Sequence, residues 1–182
     1  MDAYTLVERL DEVRVRLLEA LAPLPDEALT YPGVIGEWSI ADVLAHLVNW
    51  EAELVTAFHK IDQEKRPGRL LQALKDRDRY NAERFAEMKG RDLERIFDDL
   101  QDVRAKVEEW LEEFNDKQLK SPGYYDWLSG RPLWKLIAEV TYEHEASHLE
   151  EIEAFADRWL EEEAESTISL TEIEVHENGD RG

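Results

Sequence analysis

Residues 132–160 read PLWKLIAEVTYEHEASHLEEIEAFADRWL and carry the strongest folding signal in the chain. Leu133, Ile137, Val140, His144, His148, Ile152, Phe155 and Trp159 recur at spacings of three and four. That is the period of one face of an α-helix, not of a strand. Pro132 stands where a first helical turn tolerates a missing N–H. The pattern predicts a helix from about Pro132 to Glu163.

The same period fills most of the remaining chain. Leu6, Leu10, Val13, Leu17 and Leu21 mark a helix from about Asp2 to Ala22, closed by Pro23 and Pro25. A short piece, Asp26–Leu29, precedes the breaker Tyr31-Pro32-Gly33. Ser39, with Asp42 three residues on, is a variant of the capping box and predicts a helix start. The stripe that follows is Val43, Leu47, Trp50, Leu54, Phe58 and Ile61. A more polar helical stretch covers 70–88 and stops at Gly90. Another long helix starts near Asp92, with Leu93, Ile96, Leu100, Val103, Val107, Trp110, Leu111 and Phe114 facing inward. Four long amphipathic helices predict an all-α four-helix bundle. Breakers interrupt the pattern before a coiled coil could accumulate, and no fixed period suggests a solenoid. Ser166–Val175 alternates weakly and predicts an extended tail, one edge strand at most. The expected organisation is a bundle over residues 1–164 and a polar tail over 165–182.

Composition narrows the function classes. The 182 residues include 43 acidic and 22 basic side chains, a net charge of -21. This balance predicts no nucleic-acid partner and no anionic membrane surface, since both call for a Lys/Arg footprint. Cysteine is absent, which excludes disulfides, thiolate metal sites and a Cys nucleophile. No apolar run approaches the ~20 residues of a membrane span. The start, Met1-Asp2-Ala3-Tyr4, lacks the basic and apolar regions of a signal peptide, so a cytoplasmic location is expected.

The chemistry rests on histidine. His144 and His148 are four apart on one helix, so both rings reach one point. At about 100° per residue from Ile137, both fall near the centre of the apolar stripe. Two polar rings in a core each need a partner. A metal ion is one solution; hydrogen bonds to Tyr, Glu or water are the other. His46 lies at the margin of its own stripe and is positioned to join the pair. His59 lies ~20 Å further along the same helix and on its wet face. His176 is in the tail, and both are read as solvated. Three His without a fourth Cys leave open coordination positions, the mark of a catalytic rather than structural site. Glu51, Glu145 and Glu151 are candidate general bases, though a surface role is the default for each. His144-Glu145-Ala146-Ser147-His148 also spells H-E-x-x-H, but a zincin sets that motif beside a sheet, and none is predicted. Trp38, Trp50, Trp134 and Tyr142 are candidate pocket walls, and Arg131 and Lys135 the candidate local cations.

Two segments resemble the DinB/YfiT-like metalloenzyme superfamily. The first is Gly36-Glu37-Trp38-Ser39-Ile40-Ala41-Asp42-Val43-Leu44-Ala45-His46-Leu47 with Trp50-Glu51; the second is Glu143-His144-Glu145-Ala146-Ser147-His148 with Leu149-Glu150-Glu151-Ile152. The resemblance spans roughly residues 1–160. Asp42-Val43-Leu44-Ala45-His46-Leu47 is also similar to the neighbouring ClbS/DfsB-like branch. The resemblance implies a four-helix bundle, often a homodimer, with a divalent metal held by His46, His144 and His148. The metal expected is Zn or Ni, with Fe or Mn as further options. The implied activity is a metal-dependent hydrolase or a thiol-dependent transferase acting on a small molecule, with a low-molecular-weight thiol as a possible partner. The alternative is a non-catalytic stress or sequestration bundle whose histidines are structural.

Overall fold

A computed structural model describes the backbone of residues 1–179 and the side chains of residues 1–165. The helices are α1 (Ala3–Leu21), α2 (Asp26–Thr30), α3 (Ile40–Asp62), α4 (Gly68–Lys75), α5 (Arg77–Met88), α6 (Leu93–Glu113), α7 (Asp116–Lys120), α8 (Leu133–Val140) and α9 (Tyr142–Gly179). A 3₁₀ turn, Asp126–Leu128, lies between α7 and α8. No strand forms among the described residues. None of their helices is long and apolar enough to cross a membrane. α3 packs most extensively on α6, and α1 on α9. These four make the bundle, and α4, α5 and α8 flank α3.

Local chemistry sets the starts. The Asp2 carboxylate accepts the Thr5 N–H at 3.0 Å and opens α1. At α3, Asp42 N donates to Ser39 Oγ (3.2 Å) and Ser39 N donates to Asp42 Oδ2 (2.9 Å), a reciprocal capping box. This cap fixes the first turn of the helix that carries His46.

The chain departs from the sequence expectation in three places. The polar stretch before Gly90 is two helices, α4 and α5, broken at Asp76 (φ -137, ψ 69). The last helix is also broken, at Thr141 (φ -114, ψ -108). Thr141 is buried and its hydroxyl donates to the Ile137 carbonyl at 2.7 Å, a side-chain bond that competes with the helical ladder. Beyond the break the inward line is Glu145, Leu149, Ile152 and Ala156. Third, residues 166–175 are not extended. α9 continues through them to Gly179. No Pro or Gly interrupts that stretch, and a strand would need a sheet to join. Residues 180–182 and the side chain of His176 lie outside the described residues.

The core comes in two parts. One gathers Leu17, Leu21, Val43, Leu44, Leu47, Leu100 and Ile152; the other gathers Leu6, Leu10, Leu54, Phe58, Leu111 and Ile137. Full burial of such a side chain stabilises by about 1.5–3 kcal/mol. Four buried charges separate the two parts, one from each main helix: Arg14 on α1, Glu51 on α3, Arg104 on α6 and Glu145 on α9. Arg14 grips the Glu145 carboxylate with Nε (2.8 Å) and Nη2 (3.0 Å). Arg104 Nη2 bridges Glu51 Oε1 (2.5 Å) and Glu145 Oε2 (2.6 Å). The remaining forks donate to main chain, Arg14 Nη1 to Leu100 O (3.0 Å) and Arg104 Nη1 to Leu10 O (2.9 Å). Two positive and two negative groups thus form a neutral layer across the bundle.

Candidate metal centre

α3 and α9 bring His46, His144 and His148 together. His46 stands seven residues beyond the Ser39 cap and is buried; His144 and His148 are partly buried. His46 Nε2 lies 2.9 Å from His144 Nε2, and His148 Nε2 lies 3.3 Å from His144 Nε2. The three ligand atoms fall within 4.8 Å of one another. Zn–N bonds of about 2.0–2.1 Å in a tetrahedral array set ligand nitrogens about 3.3 Å apart. The cluster therefore has the reach and donor type that one divalent cation needs.

Electrostatics favour lone pairs over protons here. Burial, and then the other two rings, push His46 down from 6.5 to about 3. Burial, then His148, then the Arg77 cation push His144 down to about 3. His148 is lowered by burial, against an opposing pull from Glu151. Near neutral pH all three are neutral imidazoles, the form that ligates metals. Trp38 packs against His46 at 5.0 Å between ring centroids, and Trp50 against His144 at 5.8 Å. Phe85 of α5 stacks on Trp38 at 5.3 Å, so α5 covers this side of the cluster. Arg77 lies over the Trp50 ring at 5.6 Å and pairs with Glu139.

Several sequence readings change. His144 and His148 sit beside the inward line of α9 and not at its centre, because the break at Thr141 resets the helical phase. Glu51 and Glu145 are neither surface groups nor free bases; both are locked in the Arg/Glu layer. That engagement removes the H-E-x-x-H reading, which needs Glu145 free to take a proton. Glu151 stays exposed. Trp38 and Trp50 wall the cluster, whereas the Tyr142 hydroxyl faces Met1 and the Trp134 ring faces Lys135. Arg131 pairs with Glu139. His59 is exposed and packs edge-on against Trp110, as its position on the wet face predicts.

Fold and site together define a helical bundle with a three-histidine candidate metal centre between its second and last long helices. The family model of the DinB superfamily matches residues 9–152, and the chain belongs to that superfamily. No functionally curated protein matches the sequence. Two solved structures share the fold. One is an uncharacterised protein from Escherichia coli UTI89, 16% identical, with a TM-score of 0.69 over 86% of this chain and 94% of that one. The other is the colibactin self-resistance protein ClbS in complex with a dsDNA, 14% identical, with a TM-score of 0.67 over 84% of this chain and 94% of that one.

The ClbS complex overturns one expectation. Nucleic acid was excluded on net charge, yet a protein of this fold is seen with duplex DNA. The physical flaw is that a sum over the chain hides its distribution. Residues 65–91, which hold α4 and α5, carry nine basic side chains against four acidic ones. Binding reads a local face, not a total.

Proposed function

We propose that this protein binds a divalent metal through His46, His144 and His148 and acts on a small molecule as a metal-dependent hydrolase or thiol-dependent transferase. The observation that carries the reading is the convergence of three neutral Nε2 atoms on one point. Three imidazoles suit Zn or Ni, then Fe or Mn. An ion held there supplies Lewis acidity at open coordination positions. The chain's own residues do the rest. Trp38, Trp50 and Phe85 keep bulk water from the ring nitrogens. Arg77 holds a positive charge beside His144 that suits an anionic group on a substrate. Glu151, exposed on α9 three residues beyond His148 and outside the buried layer, is the carboxylate to which this reading assigns proton transfer.

Elemental analysis of tag-free protein tests the site. About one divalent ion per chain is expected, lost in the His144→Ala/His148→Ala double variant. Metal-free protein that gains no stability from added Zn or Ni would sink the reading. One observation favours a second reading, binding without turnover. The cavity touching His46, walled by Trp38, Asn81 and Phe85, is only about 10 Å³, room for one water. Metal-loaded protein that turns over no ester, lactam or thiol adduct would favour that sequestration role.

A further inference from the structure

A second cavity, of about 430 Å³, opens between α4 and α5. Its volume falls in the range of small-molecule sites. Arg69, Arg79, Arg84 and the Tyr80 ring line it, against the carboxylates of Asp76 and Glu83. Three guanidinium groups on one cavity are notable in a chain of net charge -21. Each is tethered at a single nitrogen: Arg69 to Glu53 (2.5 Å), Arg79 to Glu83 (2.8 Å) and Arg84 to Glu87 (2.7 Å). A guanidinium has five donors, so these pairs orient the forks without exhausting them.

Arg84 carries the most information. Its Cζ sits over the Tyr80 ring at 5.7 Å. Its Nε is buried and has no acceptor. Buried donors almost always find one, and this N–H belongs to a side chain that lines the cavity. Arg84 also lines the small cavity beside His46, so its side chain is a wall common to both. The Tyr80 hydroxyl donates to the Asn49 carbonyl at 3.4 Å, so it is the ring face that this residue offers the cavity.

We propose that the α4–α5 cavity binds a phosphate-bearing ligand through Arg69, Arg79 and Arg84. Phosphate fits better than carboxylate, because three forks offer more donors than two oxygens accept. The cavity is larger than one phosphate, and Ala73 and the Tyr80 ring give an organic portion an apolar face. The proposal stands whether or not the histidines hold a metal.

The test uses the full chain, dialysed free of metal, in a buffer without phosphate or sulfate. Pyrophosphate and phenyl phosphate are titrated calorimetrically. Saturable binding is expected, weakened about tenfold or more in Arg79→Gln and in Arg84→Met, the loss of a charged hydrogen bond. Arg79 is three-quarters exposed, so its variant keeps the test valid even if Arg84→Met folds poorly. Lys89→Gln, outside the cavity lining, is expected to bind as the wild type does. Absence of saturable binding, or equal weakening by Lys89→Gln, would overturn the proposal. A duplex oligonucleotide distinguishes the source. If it competes with pyrophosphate and weakens in the same arginine variants, the phosphate belongs to a nucleic-acid backbone. If it does not compete, the ligand is a small phosphate ester.

Discussion

The bundle buries two polar clusters on the same pair of helices and resolves them in opposite ways. α3 contributes Glu51 to one and His46 to the other; α9 contributes Glu145 to one and His144 and His148 to the other. In the Arg/Glu layer every charge meets an opposite charge, and the spare forks of both arginines reach main-chain carbonyls. Nothing is left for a ligand to satisfy. In the histidine cluster the ring nitrogens approach one another at 2.9 and 3.3 Å, with Trp38 and Trp50 packed against the rings. Burial of polar groups is costly in both cases, but only the second gathers three metal-ligating nitrogens with no opposite charge between them. A closed polar cluster is therefore read as architecture, and an open one as a site.

The difference has measurable consequences. Removing one member of the closed layer strands its partner's charge. Arg104→Met leaves Glu51 and Glu145 short of a cation, and urea unfolding is expected to show a loss of about 3–5 kcal/mol. Replacing all four residues with Met and Leu should recover most of that loss, since an apolar layer of similar volume is often neutral or stabilising. A quadruple variant as unstable as the single one would mean that the layer adds net stability of its own. The open cluster should respond to ligand instead. Zn at about a thousandfold over its dissociation constant is expected to stabilise the wild type by about 4 kcal/mol. The same addition should leave His144→Ala/His148→Ala unmoved in thermal denaturation. A stabilisation that survives in the double variant would place the bound ion elsewhere.

The histidines were legible in the sequence because their spacing is a local property: four residues on one helix are one turn. Their exact facing was not. Carrying the helical phase from Ile137 across Thr141 assumes an unbroken helix, and the break shifts the inward line by one residue, from His144 to Glu145. The Arg/Glu layer left a signal that apolar periodicity overlooks. Arg14 lies four residues after Leu10 and three before Leu17; Arg104 lies four after Leu100 and three before Val107. Glu51 lies four after Leu47 and three before Leu54. Two cations and two anions at core register on four helices predict a paired layer. Val13, read as a stripe residue, is only half-buried because Arg14 takes its place. The basic α4–α5 segment was equally visible as a count and was masked by the net charge.

The smallest effect tests how far the first turn of α3 governs the open cluster. Ser39→Ala removes the Oγ that accepts the Asp42 N–H at 3.2 Å and donates to Asp42 Oδ2 at 2.7 Å, and keeps the main-chain N–H bond to Asp42. The expected cost is about 1 kcal/mol of stability. The Arg/Glu layer lies a turn and more beyond His46 on α3, and Glu51 is held there by Arg104. If that layer sets the helix in place, fraying at the cap stops short of His46, and the Co(II) absorption spectrum and Zn affinity of Ser39→Ala should match the wild type. If the cap positions His46, the affinity falls with stability and the spectrum shifts. Unchanged ligation in a destabilised protein would show that the closed cluster holds the open one in register.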